Sequence, residues 1–555
     1  MGFYLSRIFE MKLVSSLEKV FPDSEVEKMG FSRFSMLKNE KASFQMAYKL
    51  GCPEDGEYEI EIDSPLKDEI HAYCVRLIPS QLAAPKNADE YYIKKESGEY
   101  PDLLEAIDLN APVRLSHNGW QSVWFEIKTA GELPAGEHLV RVQVSQNGKI
   151  LAASEIGVEV IAARLPEQTL IYTNWYHTDC LMRYYKTEAF SEDYWRITEN
   201  YLRHAREYGM NCVLTPLFTL PLDTKVGGER PTVQLVDVKI TGKNEYEFGF
   251  EKLDRWLEMC ERCKVPYIEM SHLFTQWGAK HAPKIIATTA QGEEKQIFGW
   301  KTKASGKQYV SFLKQFAPAL DAYLDKKGIR ERCLFHVSDE PAMYCYFPYK
   351  KASKLVHKLF HNYKVIDALS DFKFYKKGLI DTPIPANDHV GHFIGNVPEL
   401  WTYYCSAQSA NNVSNRYFSM ASERNRVLGC QLYKFDVKGF LHWGYNFWFS
   451  QYSIREIDPF QVTDAGGAFA SGDSFVVYPG ANGEPMNSLR LNVFYDGLQD
   501  MMAMQLLESK IGRQKVVELL EAETKEPITF SSYPHSSEWL LKTREKINQA
   551  IKESI

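Results

Sequence analysis

The chain has no surplus of positive charge: Lys and Arg number 65 against 72 Asp and Glu, a formal net charge of −7 at pH 7. No sequence-wide basic field exists to gather nucleic-acid phosphates or anionic headgroups, so neither is expected as a partner. No apolar run approaches the length of a spanning helix, and membrane insertion is not expected. The opening Met1-Gly2-Phe3-Tyr4-Leu5-Ser6-Arg7-Ile8-Phe9-Glu10 lacks the basic-then-apolar order of a secretory leader, which points to a cytoplasmic protein. Cysteine is sparse: ten residues stand singly, apart from Cys260-Glu261-Arg262-Cys263, which falls inside a helical pattern with Leu253, Trp256 and Leu257. Without a second Cys or His pair at ligand spacing, zinc is not expected, and the thiols read as small apolar residues. The glycine pairs Gly227-Gly228 and Gly466-Gly467 carry no phosphate-loop pattern and read as turns, so no cofactor is expected.

What the chain does have is length and apolar content. Its 555 residues, 45% hydrophobic and 13% aromatic, suffice for one large barrel plus a smaller domain. From Met11 to Ile161 apolar residues alternate with polar ones, as in Phe44/Met46/Tyr48, Tyr58/Ile60/Ile62 and Val140/Val142/Val144. Period two with one wet face predicts strands, and Asn147-Gly148 between two of them predicts a tight hairpin. An N-terminal antiparallel β-sandwich over residues 1–164 is expected.

After Ala162-Ala163-Arg164-Leu165-Pro166 short apolar runs alternate with helical periodicity, the pattern of repeated βα units. Strands are predicted at Ile171 to Trp175, Asn211 to Leu214, Tyr267 to Met270, Leu334 to Val337, Val365 to Leu369, Thr382 to Pro385, Leu428 to Leu432 and Gly439 to Trp443. A helix is predicted to open at Ser191, to carry Tyr194, Ile197, Tyr201 and Ala205 on one face, and to stop at Gly209. Eight strands in series predict a (β/α)8 barrel of the TIM type over residues 165–505, with a helical tail over 506–555 packed on it. Two long connections, from Pro216 to Phe248 and from Ser271 to about Ser305, follow strand C-terminal ends, where such barrels carry their sites.

One of those ends reads Cys333-Leu334-Phe335-His336-Val337-Ser338-Asp339-Glu340-Pro341, an apolar strand running into two adjacent carboxylates. Adjacent acids are usually a solvated turn or a helix N-terminus, but a barrel rim favours acid/base chemistry. Glycoside cleavage needs a proton donor for the leaving oxygen and a group that manages positive charge at the anomeric carbon. In most retaining enzymes the two carboxyls stand on different strands and flank the bond. Neighbours on one strand end suit a substrate-assisted route better, in which the sugar's 2-acetamido oxygen attacks while one carboxylate orients its N–H and the other serves as general acid and base.

These residues, together with Glu269-Met270-Ser271-His272-Leu273-Phe274-Thr275-Gln276-Trp277-Gly278, Gly439-Phe440-Leu441-His442-Trp443-Gly444, Gly472-Asp473 and Tyr478-Pro479-Gly480, resemble glycoside hydrolase family 123. So do Ser488-Leu489-Arg490-Leu491 with Asp496-Gly497, and the stretch Asn39-Glu40-Lys41-Ala42-Ser43-Phe44-Gln45 is similar to the start of that family's accessory sandwich. The resemblance covers nearly the whole chain. It implies a β-N-acetylgalactosaminidase acting by the substrate-assisted retaining route on a glycan or glycoconjugate with a terminal β-linked N-acetylgalactosamine. Carried over, Asp339 orients the acetamido group and Glu340 is the general acid/base.

Aromatic residues near strand ends are the next candidates: Trp175, Trp277, Trp443 and Trp448 to stack on apolar sugar faces, and Tyr403 or Tyr404 as a donor to the acetamido carbonyl. His272 and His336, with His177 and His442, also fall near strand ends. No HxH or HExxH spacing links them, so they are expected to bond sugar hydroxyls or neighbouring carboxylates rather than a metal. Two other readings are a non-catalytic carbohydrate-binding barrel and a two-carboxylate glycosidase recruiting Glu269 or Asp179.

Overall fold

Asn147 and Gly148 both take positive φ (51° and 72°), joining strands Gly136–Gln146 and Lys149–Ile161 in an antiparallel pair with Gln146 opposite Lys149. That is the two-residue hairpin the dipeptide predicts, because both positions tolerate the left-handed region and the twist of such a turn matches that of the strands. The computed structural model describes residues 9–26, 30–51 and 54–555; the segment before Phe9, read above for a leader, lies outside them.

The hairpin belongs to the first of two compact units, which comprises residues 1–168, 409–434 and 486–555. One of its sheets runs Phe9–Ser15, Ala42–Leu50, Trp120–Ile127, Ile70–Ser80 and Gly98–Ile107 in spatial order, antiparallel throughout. The other runs Arg33–Leu37, Lys149–Ile161, Gly136–Gln146, Gly56–Asp63 and Val113–Leu115, antiparallel except where Arg33–Leu37 lies parallel to its neighbour. The alternating residues Phe44, Met46, Tyr48, Tyr58, Ile60, Val140, Val142 and Val144 form one apolar core.

The C-terminal helices fold with this unit, which corrects the expected division at residue 505. Leu489–Ile511 is one unbroken helix, opened by the Ser488 hydroxyl accepting from the Leu491 amide and closed at Gly512 (φ +84°). Nothing in its sequence breaks at 505. Inside the unit Arg426 and Arg544 both donate to Asp500, at 2.7 and 2.8 Å, and Arg544 donates to Glu40 at 2.7 Å, all four side chains being buried. Buried charge persists only when paired in this way.

The second unit, residues 169–408 and 435–485, holds a parallel barrel. Its strands are β1 (Ile171–Asn174), β2 (Cys212–Thr215), β3 (Tyr267–Met270), β4 (Cys333–His336), β5 (Lys364–Ala368), β6 (Thr382–Ile384), β7 (Trp401–Tyr403) and β8 (Gly439–His442). Spatial order is β6-β5-β4-β3-β2-β1-β8-β7, and a single parallel bridge between Ala386 and Tyr403 brings β6 to β7, so the barrel is nearly closed. Helix α1 (Glu192–Glu207) begins where Ser191 accepts from the Tyr194 amide, buries Tyr194, Ile197, Tyr201 and Ala205, and is followed by Gly209 at φ +90°. The predicted strand at Leu428 to Leu432 is instead helical (Leu428–Lys434) and belongs to the first unit. Its residues are buried on every side, and a short run that is apolar all round has no period to separate strand from helix. The true seventh strand, β7, is only three residues long. The long connections after β2 and β3 contribute strands Asp237–Gly242, Glu245–Gly249, Ile285–Thr288 and Glu294–Phe298, which form a separate four-stranded sheet.

Candidate active site

Asp339 and Glu340 lie in the bend that follows β4, which ends at His336. There Glu340 takes φ +43°, a conformation a non-glycine residue before proline adopts only under strain. Its amide donates to Ala368 O at the end of β5 (3.1 Å), while Asp339 O accepts from the Trp277 amide (2.8 Å). Both carboxyls therefore line one cavity of about 110 Å³, with Trp175, His177, Trp277, Tyr403 and Trp443 among its walls.

Behind the pair lies a buried charge network. Asp367 on β5 accepts from the amides of Val337 and Ser338 (3.0 and 3.2 Å) and from the Tyr349 hydroxyl (2.6 Å). It thereby fixes the backbone immediately before Asp339. The His336 ring contacts Asp367 through Nδ1 (3.2 Å) and Glu269 through Nε2 (2.6 Å), and all three side chains are fully buried. Desolvation, the largest influence on His336, opposes its charge, but the two carboxylates together outweigh it and raise its pKa to about 9. The ring is thus an imidazolium donating to both. Glu269 also accepts from Trp175 Nε1 (2.8 Å) and from the Thr173 hydroxyl, so it holds the indole that walls the cavity.

Asp339 is held well above the usual carboxylate range, first by desolvation and then by the charges of Glu340, Asp367 and Asp223, with His336 opposing. Asp339 therefore keeps its proton above the ordinary carboxylate range. Glu340 Oε1 accepts from the Tyr403 hydroxyl at 2.5 Å. Asp223, in the long connection after β2, also lines the cavity; burial lifts its pKa to about 6, although its Oδ2 accepts from the Tyr452 amide (3.0 Å).

Of the aromatic candidates, Trp175, Trp277, Tyr403 and Trp443 line the cavity. Trp277 reaches it through φ +56°, and Trp443 is held by Nε1 donating to Asp473 (3.0 Å). Trp448 does not line the cavity: its ring packs against Tyr184 and Tyr201 and its Nε1 donates to Val477 O (3.3 Å). Tyr404 follows Tyr403 and faces the other way, against Phe440 and His442, as strand alternation requires. His272 and His336 are also behind the wall rather than in it. His177, by contrast, lines the cavity. Arg230 donates to its Nδ1 (3.1 Å), so its Nε2 carries the proton and donates to Trp443 O (2.8 Å); burial, then the Arg230 charge, lowers its pKa to about 3.

The two alternative acids are not available. Glu269 is enclosed by its donors, and Asp179 is buried in a two-bond pair with Arg230 (both 2.8 Å); neither lines the cavity. His272, His336 and Asp367 bring one potential metal-ligand atom each within 4.8 Å. Both His336 nitrogens are already donors to carboxylates, and the two rings stack at 4.1 Å and 23°, so the imidazoles do not converge on a common point. Of these three residues His272, kept neutral by burial and by the charge of His336, is the one whose ring nitrogens are free of hydrogen bonds. The donor set does not fit a metal.

A nearly closed parallel barrel with an acid pair and aromatic walls at its C-terminal rim is the architecture of a glycosidase. The sequence model described as glycoside hydrolase 123, catalytic domain, matches residues 175–507, and the chain belongs to that family. Among solved structures, a family 123 glycoside hydrolase from Clostridium perfringens, studied for glycolipid glycan hydrolysis, superposes with a TM-score of 0.75 at 15% identity over 98% of this chain and 97% of its own. A family 39 glycoside hydrolase from Bacteroides cellulosilyticus aligns at a TM-score of only 0.33 and 9% identity over 85% of this chain and 81% of its own. No curated protein matches the chain in sequence.

Proposed function

We propose that the chain is an exo-acting retaining glycoside hydrolase that releases terminal β-linked N-acetylgalactosamine with the substrate's 2-acetamido oxygen as nucleophile. One observation carries the reading: two adjacent acids, in a bend where Glu340 takes φ +43°, line one small cavity. Side by side on one strand end, they are poorly placed to attack a glycosidic bond from opposite faces.

In the first step the acetamido oxygen bonds to the anomeric carbon while the bond to the leaving oxygen breaks. Glu340 gives that oxygen its proton, and Asp339 accepts a hydrogen bond from the acetamido N–H, favouring the oxazolinium ion. Accepting that bond also favours the ionised form of Asp339, which leaves the pair's single proton on Glu340. In the second step water, deprotonated by Glu340, attacks the anomeric carbon from the side the leaving group vacated, and the bond to the acetamido oxygen breaks, restoring the 2-acetamido group. The sugar departs with its configuration retained.

The test is hydrolysis of paired chromogenic β-N-acetylgalactosaminide and β-N-acetylglucosaminide substrates, with a glycolipid glycan in the panel, followed by NMR of the first-formed anomer. The β anomer is expected, and an α product would exclude the mechanism. Turnover by Glu340→Gln equal to wild type on an unactivated leaving group would exclude its role.

A second reading is favoured by Asp223, the third carboxyl in the cavity. An ordinary two-carboxylate enzyme would pair it with Glu340 and would resist a thiazoline mimic of the oxazolinium ion, whereas the assisted route predicts strong inhibition.

A further inference from the structure

Beside the cavity, and sharing a wall with it, runs a larger groove of about 570 Å³. The wall is Trp277-Gly278-Ala279: Trp277 lines the cavity and Ala279 lines the groove. This segment is tightly set. All three residues have positive φ, and a Cβ on Gly278 would stand 2.3 Å from the Cβ of Cys345, so the wall is pressed against the segment that follows the Asp339-Glu340 pair. The groove is lined by Lys280, His281, Lys303, Phe347 and Lys351, and no carboxylate lines it. None of the three lysines forms an ion pair among the described residues. His281 adds no fixed charge, since burial and then Lys280 lower its pKa. Two large rings stand open at the edge, Tyr344 at 75% exposure and Phe347 at 74%, and the Lys280 ammonium lies 5.7 Å from the Tyr344 ring centre.

Exposed rings next to unpaired ammonium groups, one wall away from the cavity that holds the acid pair, match an acidic saccharide: a ring face stacks on the aromatic while its acid meets the lysines. We propose that this groove holds the leaving-group side of the substrate and selects an oligosaccharide bearing carboxylate or sulfate there. The inference rests on the glycosidase reading of the cavity and adds the class of acceptor.

The test compares three disaccharides with a terminal β-N-acetylgalactosamine, linked to a uronic acid, to its methyl ester, and to a sulfated hexose. Wild type is expected to cleave at least one acidic form with kcat/KM about fivefold above the neutral ester, as exposed charge pairs allow, and to lose the preference as salt rises. The variant Lys280→Ser/Lys303→Ser/Lys351→Ser should lose the preference while keeping its rate on the ester; whichever acidic arm shows the larger loss identifies the acid. Equal rates on acid and ester, or a preference that survives in the triple variant, would overturn the proposal. Should none of the three be cleaved, the cavity reading fails. Calorimetric titration of the same compounds then still reads the groove: acid-selective binding lost in the triple variant supports it, and binding that is absent or indifferent to the acid, including capture by anionic phospholipid vesicles alone, overturns it.

Discussion

The Tyr403 hydroxyl donates to Glu340 Oε1 at 2.5 Å, across from the strand end that carries the acid pair. This bond orients one carboxyl oxygen and leaves the other to meet a leaving group. Removing the hydroxyl in Tyr403→Phe is expected to lower kcat on an unactivated aglycone about 10- to 100-fold, because a general acid depends on its position as much as on its acidity. Phenolic leaving groups need less protonation, so their loss should be smaller. Steady-state kinetics on a matched pair of aglycones reads the difference, and equal losses on both would remove Tyr403 from the acid's support.

The proton held at Asp339 in the free site sets the alkaline side of the pH profile. Asp339 is raised above the ordinary carboxylate range by desolvation first and by like charges second, Asp223 among them. The active form holds one proton, so activity falls with rising pH as that proton leaves, above the range of a free carboxyl. Replacing Asp223 by Asn removes a negative charge that is present above about pH 6. The pair then gives up its proton more easily, and the alkaline limb of kcat/KM should move to lower pH. A limb that stays in place or moves upward would contradict the assigned coupling.

His336 couples stability to pH in the opposite sense from a carboxylate. Its pKa in the fold, about 9, is above the unfolded value, so its stabilising contribution is complete below about pH 6.5 and is lost as pH rises through 9. His336→Asn leaves Glu269 and Asp367 without their shared cation and should cost roughly 3–5 kcal/mol. Thermal unfolding between pH 6 and 10 checks both points. The wild-type slope across that window should flatten in the variant, and an unchanged slope would show that His336 is not the titrating group.

Two tryptophans separate packing from binding. Trp443 lines the cavity and Trp448 does not, so Trp443→Ala is expected to raise KM at nearly native Tm. Trp448→Ala should lower stability by about 3–5 kcal/mol as a truncated buried indole, with KM unchanged in the folded fraction. Paired calorimetry and kinetics on the two variants test the division.

The parts of this protein that were legible in its sequence are those fixed by local chemistry. Asn147-Gly148 can hardly be other than a hairpin, Ser191 and Gly209 bracket a helix through the backbone groups they satisfy or free, and Leu334 to Val337 reads as a strand entering a rim. Leu428 to Leu432 misled because a short run buried on all sides carries no period, and Trp401–Tyr403 escaped because three residues are too few to show one. At the site, the acid pair was visible as a pair, but the bend that brings both acids to one cavity, with Glu340 at φ +43°, is a property of the folded backbone. Asp223, Asp367 and the link from Glu269 through His336 join residues from different strands and loops, and no spacing in the sequence marks them. Tyr404 faces away from the cavity because orientation at a strand end depends on the register it inherits, and Trp448 lies in the loop beyond β8, where no sequence period applies.

The proposed mechanism has the substrate supply its own nucleophile. It is tested most directly by turnover of a series of β-galactosaminides whose 2-N-acyl group is acetyl, difluoroacetyl and trifluoroacetyl on one leaving group. Fluorine withdraws electron density from the amide oxygen without changing the glycosidic bond to be cleaved. A steep fall in kcat along the series is expected, and rates that stay flat would show that the acetamido oxygen is not the nucleophile.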